Sequence, residues 1–298
     1  MFKEEELMDI IRFKAGFGNQ MFQYAFLLEL QERGRNVKGY LGFYDNSNIK
    51  YMLQEVFPNI NIEMVDDQIF RKRKEDYDKI FHSRIKYRVY KYIKRARKYW
   101  MEESDGKYDA NVFKTKNCVF VGYWETEKYF SHVKDKVRQA YQFPYGEDKL
   151  QKLAQELKNK NSVSIHVRRG DYLTEENERI FGNICTIDYY KNAMRKIEES
   201  ISNPYYVVFS NDIEWTKKNL KIENGIFISG DMFTSYMDWY DMYLMSQCRH
   251  NIVANSSFSW WAAWLNENKS KVVVSPGKWL NTSDTRDIWA EGWIKIPV

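Results

Sequence analysis

From 148 to 275, short apolar segments alternate with helix-length amphipathic ones, and this alternation limits the chain more than any other feature. Apolar spacing predicts helices over 148–159, 188–200, 213–220, 236–248 and 256–266. Between them it predicts strands over 163–167, 205–210, 225–229, 251–254 and 271–275. Strands separated by whole helices cannot pair as hairpins; they form a parallel sheet covered on both faces. The fold class is therefore α/β.

The amino-terminal half opens in the same way. A strand at 9–14 runs through Ala15-Gly16-Phe17-Gly18-Asn19-Gln20 into an apolar helical run over 21–33, with Gly34 as its stop. Strand, glycine turn and helix together begin a Rossmann-type half, and Gly16 and Gly18 would let backbone N–H groups approach an anion. The G-x-G here lacks the third glycine and later acidic residue of a dinucleotide fingerprint. A further strand is expected over 119–124, then a helix through about 141. Phe143-Pro144-Tyr145-Gly146 breaks the pattern, which places a domain boundary there and divides the chain into 1–146 and 147–298. Each part is long enough to bury its own core.

Composition narrows the function classes. Charged residues make up 29% and hydrophobic ones 44%, which is globular rather than disordered. The 17% aromatic share suits sugar-stacking surfaces, but such rings fill cores at least as readily. A net charge of +5 favours an anionic ligand without requiring nucleic acid. Cys118, Cys185 and Cys248 are far apart, and the four histidines show no ligand spacing, so neither a disulfide framework nor a metal site is expected and a reducing cytoplasm fits. No apolar run reaches the length of a membrane span, and the charged amino terminus is not a signal peptide. Residues 71–98 read as a basic amphipathic helix. That helix is either a solvated face or a contact for an anionic membrane or lipid-linked pyrophosphate.

The chemistry lies at strand ends. Val163, Ile165 and Val167 alternate with Ser162, Ser164 and His166, and the strand runs into Arg168-Arg169-Gly170-Asp171. Guanidiniums at the carboxyl end of a strand suit a phosphate, although a plain surface Arg–Asp pair would read alike. Ser210-Asn211-Asp212 follows the next strand; Asp212 can cap a helix or accept from the N1–H and N2–H₂ edge of guanine. Ser256 and Ser257 open a helix after a third strand, as caps or as part of a phosphate site at its positive end. Three such ends on one sheet converge on one crevice, which points to a nucleotide.

Together these segments carry a resemblance. G-F-G-N-Q-M-F-Q-Y-A from Gly16, G-Y-W from Gly122, H-V-R-R-G-D-Y from His166, F-S-N-D-I-E-W from Phe209 and N-S-S-F-S-W-W from Asn255 resemble the α-1,2-fucosyltransferases of glycosyltransferase family 11, in order and along nearly the whole chain. The resemblance implies a GT-B-like pair of Rossmann-type domains facing a cleft, with acceptor on the first and donor on the second. It implies metal-independent, inverting transfer from GDP-β-L-fucose to the 2-hydroxyl of a terminal β-galactoside, with no cofactor beyond the donor. Carried over, Arg169 contacts the diphosphate with Arg168 supporting the loop. His166 faces the nucleotide, Asp212 the guanine, and Ser256 with Ser257 the phosphates. Asn19 reaches toward the reacting atoms, as in protein O-fucosyltransferases with a G-F-G-N-Q loop. Asp171 is either the base or an orienter of an arginine. One departure stands out: Phe181 occupies the place of a histidine expected before the Tyr189-Tyr190 pair, which puts the acceptor in question. The rival readings are a transferase of the same build with another nucleotide sugar, and a non-catalytic glycan or polyanion binder using the basic helix.

Overall fold

The computed structural model describes residues 8–81, 99–102 and 106–298; the side chains of 76–81 and of Asp171 lie outside that description. The chain forms two units. One runs to Gln142 and takes back Arg286–Ile288; the other spans Phe143–Thr285 and Trp289–Val298. The break at 143–146 thus belongs to the second unit. The return of 286–288 has a local cause. Asp287 accepts from Lys128 Nζ at 2.5 Å and from the Tyr108 N–H at 2.9 Å, while its own N–H donates to Gly106.

The first unit holds a parallel sheet of β1 (Asp9–Arg12), β2 (Val37–Tyr40), β3 (Tyr99–Met101) and β4 (Val119–Val121) in the order β2-β1-β4-β3. Helix α1 (Phe17–Glu32) begins four residues before the predicted start, so Gly18 and Asn19 lie in its first turn rather than in a loop. It is buried on nearly every side, which its apolar run dictates. Helix α2 spans Leu53–Val56, α3 spans Asp67–Phe81 and α4 spans Lys134–Ala140. The predicted basic helix therefore shares only 71–81 with α3, and its remainder, 82–98, lies outside the described residues. The helix expected between 124 and 141 is a 3-10 turn at Glu127–Phe130 followed by α4.

The second unit places α5 (Asp148–Asn159), β5 (Ser162–Val167), α6 (Glu175–Phe181), α7 (Ile187–Glu198), β6 (Tyr205–Ser210) and α8 (Ile213–Asn219) in succession. After them come β7 (Gly225–Phe227), α9 (Trp239–Gln247), β8 (His250–Ile252), α10 (Ser257–Leu265), β9 (Val273–Pro276) and β10 (Ile294–Ile296). All pairings in the sheet are parallel, in the order β7-β6-β5-β8-β9-β10. Counted from β5 this is 3-2-1-4-5-6, the doubly wound order whose direction reverses between β5 and β8. Strand β5 is buried along its whole length, not on one face, because helices cover both sides of a central strand. Its serines survive there by bonding. Ser162 Oγ donates to Leu157 O at 2.7 Å, and Ser164 Oγ accepts from Asn251 Nδ2 at 2.7 Å. Among the described residues no helix is long and apolar enough to cross a membrane.

Candidate functional site

The reversal between β5 and β8 leaves a crevice at the carboxyl edge of the second sheet, where ligands of such sheets bind. Three strand ends meet there. After β5, the Arg169 N–H donates to Asn211 Oδ1 at 2.9 Å and Arg169 Nε to Asp212 Oδ2 at 3.3 Å, which joins the β5 and β6 turns. Gly170 makes this approach possible, since a Cβ there would stand 2.4 Å from Asn211 Nδ2. On the other side, Tyr172 Oη donates to the Asn255 carbonyl at 2.9 Å, joining the β5 and β8 turns. Asn255 Nδ2 donates onward to Phe181 O at 3.2 Å and Trp279 O at 3.1 Å. A pocket of about 240 Å³ opens among these groups, lined by Arg168, Arg169, Tyr172, Glu178, Trp215 and Asn255 among others.

Two capping alternatives left open by the sequence resolve differently. Asp212 caps α8, its Oδ1 accepting from Trp215 N at 3.3 Å. Ser256 stands at the cap of α10 but makes no side-chain capping bond. The first-turn N–H groups of α10 thus lack a side-chain acceptor from that position, as an anion-binding helix start requires. Ser257 is the first residue of the helix.

His166, near the carboxyl end of β5, is buried, and its Nδ1 has no hydrogen-bond partner among the described residues. Burial, with the Arg168 guanidinium adding to it, pushes its imidazole down to about 3, so the ring is neutral at physiological pH. Its ring lies 5.7 Å from that of Phe258. The arginines differ: Arg169 Cζ sits 3.6 Å from the Trp215 ring centroid, Arg168 Cζ 5.8 Å from that of Tyr172. Asp171 lies on the 3-10 turn Gly170–Leu173, with its side chain outside the description. Phe181, where a histidine was expected, stacks on Tyr172 with ring centroids 4.7 Å apart and an interplanar angle of 17°.

Sequence reasoning gave no role to three groups of the second unit. Tyr189 Oη donates to Val253 O at 2.6 Å and Tyr190 Oη to His166 O at 3.0 Å, so the tyrosine pair clamps the ends of β8 and β5. The third is Asp241, in the first turn of α9. Burial pushes its carboxyl up to about 7, and its Oδ1 has no partner among the described residues. An acidic residue inside the otherwise apolar and aromatic run 239–245 was the available signal.

Asn19, Gly16 and Gly18 gather at the carboxyl edge of the other sheet, in the first unit. Gln20 Nε2 donates to Ala15 O at 3.1 Å and Lys50 O at 2.9 Å, and Gln20 Oε1 accepts from Met52 N at 2.9 Å. Gln23 accepts from Lys14 N at 3.0 Å and donates to Gly122 O at 3.1 Å. Both glutamines are therefore fully buried scaffolds for the β1 and β4 turns. Those turns hold Ala15 at φ 64° and Trp124 at φ 61°, a left-handed conformation that side chains disfavour and that concentrates at functional sites. Gly16 has an ordinary φ of −74°, and a Cβ there would meet nothing within 4 Å, so the fold leaves open space over the helix start. Asn19 Oδ1 is buried with no partner among the described residues.

This chain is similar in sequence to known glycosyltransferases. Alpha-1,2-colitosyltransferase of Escherichia coli is 32% identical over 96% of this chain and 98% of its own length. Galactoside alpha-(1,2)-fucosyltransferase 1 of Homo sapiens is 30% identical over 46% of this chain and 40% of its own length. Among solved structures, a GDP complex of an Arabidopsis thaliana FUT1 variant aligns at a TM-score of 0.48 and 13% identity, covering 91% of this chain and 71% of that one. The profile of Glycosyl transferase family 11 matches residues 1–297. The chain is a glycosyltransferase and belongs to glycosyltransferase family 11.

Proposed function

We propose that the protein transfers L-fucose from GDP-β-L-fucose to the 2-hydroxyl of a terminal β-galactoside, with inversion and without a metal ion. The observation that supports this most is the meeting of Arg169, Asn211, Asp212 and Asn255 at the reversal of a doubly wound sheet. Arg169 takes the diphosphate and stabilises the charge that grows on the departing GDP oxygen, with Arg168 behind it. Ser256, Ser257 and the uncapped start of α10 hold phosphate oxygens. Neutral His166 faces the nucleotide as a hydrogen-bonding group rather than as a charge. Asp171 serves as base to the acceptor hydroxyl or orients an arginine. Asn19, with Gly16 and Gly18 beside it, is the first unit's candidate for substrate contact. The three cysteines are free thiols, in keeping with a reducing cytoplasm.

The test is GDP-β-L-fucose with lactose in excess EDTA, read as GDP release and as a fucosylated product by mass spectrometry. Turnover that persists with chelator is expected; turnover that collapses on chelation sinks the metal-independent reading. A second reading comes from the Escherichia coli relative, whose name makes colitose the transferred sugar. Product with a GDP-colitose donor and none with GDP-fucose would establish it.

A further inference from the structure

We propose that Asp212 and Trp215 form a clamp that orients Arg169, so that both act on the donor's diphosphate through this guanidinium and neither reads the base. The inference rests on the donor reading above and adds two positioning residues to it.

Three contacts hold Arg169 in place: its N–H on Asn211 Oδ1 at 2.9 Å, its Nε on Asp212 Oδ2 at 3.3 Å, and its Cζ 3.6 Å from the Trp215 ring centroid. A guanidinium has one Nε–H, two terminal Nη groups and two faces. Here the carboxylate takes the Nε–H and the indole covers one face. What is left is the Nη edge, whose paired donors match two phosphate oxygens.

Asp212 is itself immobilised. Its N–H donates to Ser210 Oγ at 3.0 Å, its carbonyl accepts from Thr216 Oγ1 at 2.8 Å, and its Oδ1 takes the Trp215 N–H at 3.3 Å. Each carboxylate oxygen therefore commits one lone pair within its own chain, one on α8 and one on Arg169, which turns the carboxylate toward the guanidinium. The GDP-to-ADP preference decides whether the remaining lone pairs meet the base. Trp215 follows Asp212 by three residues at the start of α8 and borders the same pocket as Arg169. One short helix thus carries both jaws of the clamp. A long cation held this way has already given up the rotamer freedom that a loose arginine would lose on binding phosphate.

The test is a double-mutant cycle on GDP binding, measured by calorimetry, with GDP-fucose turnover followed separately. Asp212→Asn and Trp215→Leu should each weaken GDP roughly 5- to 30-fold, the span of one lost charge-assisted or cation–π contact. Trp215→Phe keeps a ring under the cation and should stay within about 3-fold of wild type. In an Arg169→Ala background, Asp212→Asn should add no further loss, because its partner is gone. The GDP-to-ADP preference of Asp212→Asn should equal that of wild type. A loss that persists in the Arg169→Ala background, or a collapsed GDP-to-ADP preference, overturns the clamp and returns Asp212 to the base. Wild-type GDP affinity in Trp215→Leu overturns the role of the indole. A wild-type protein that binds GDP but does not turn over GDP-fucose sinks the proposed reaction while the cycle still decides the clamp. One that binds neither GDP nor ADP overturns both.

Discussion

The hydroxyl of Tyr172 reaches the main-chain oxygen of Asn255 at 2.9 Å, bridging the turns that follow two neighbouring strands where the sheet reverses direction. Phe181 stacks on the same tyrosine, and its carbonyl accepts from the Asn255 side chain. Tyr172, Phe181 and Asn255 therefore make one closed unit beside the arginine loop. Phe181 offers this stack a six-membered ring with no polar atom, a wider face than an imidazole.

Tyr172→Phe keeps the stack and removes the bridge. One neutral hydrogen bond contributes about 1 kcal/mol net, so donor affinity should fall roughly 5-fold. The thermal midpoint should move by only a few degrees, about what that energy produces in a chain of this size. Calorimetric titration with GDP beside a melting curve measures both, and an unchanged affinity removes the bridge from the site.

Gly170→Ala should destabilise the fold and Gly16→Ala should not. A Cβ at 170 meets Asn211 Nδ2 at 2.4 Å, so the loop must shift, costing about 1–3 kcal/mol and the Arg169–Asn211 bond. At 16 a Cβ meets nothing, so melting should stay within about 0.5 kcal/mol of wild type. Any loss of turnover in Gly16→Ala would then report contact with substrate rather than damage to the fold.

Arg169→Lys replaces a planar fork with a point charge that cannot use the Nη edge. Turnover should drop about 10²- to 10³-fold, as when a single oxyanion donor is lost, with the circular dichroism spectrum unchanged. Near-normal turnover would take Arg169 out of the reaction.

Stability should depend on pH through two buried groups with opposite signs. The His166 pKa falls from 6.5 to about 3 in the fold, so the unfolded chain alone takes the proton in that window and stability drains away as pH drops through it. His166→Gln should flatten this acid limb. The Asp241 carboxyl rises from 3.8 to about 7, so the folded chain holds the extra proton and stability declines as pH climbs between those values. Asp241→Asn should therefore melt higher than wild type at pH 7 and converge with it near pH 4. Melting curves across that range check both slopes, and parallel curves for wild type and variants would refute the assignments.

Most of the second unit was legible because its first five strands are short apolar runs separated by helix-length amphipathic segments. The helix at Asp148–Asn159 and the strand at Tyr205–Ser210 fall where spacing puts them. Strands Val37–Tyr40, Tyr99–Met101 and Ile294–Ile296 were not anticipated. At three or four residues each they are too short for a two-residue period to emerge, and their pairing in the sheet makes them strands. The start of α1 was misplaced for a related reason: glycine and asparagine argue locally for a loop, while burial of the whole helix overrides that preference.

By itself the sequence determined the doubly wound class, the kinds of groups at each strand end and the family pattern, because periodicity and residue chemistry are local properties. Only the tertiary structure decided what those groups bond to. Asp212 caps a helix and holds Arg169, Ser256 leaves its helix uncapped, and Gln20 and Gln23 spend their amides inside the scaffold. The physical reason is that a polar side chain has several possible partners, and the choice among them is made by neighbours brought in from distant parts of the chain. Arg169 and Asn211, 42 residues apart and joined only through the sheet, are one such case.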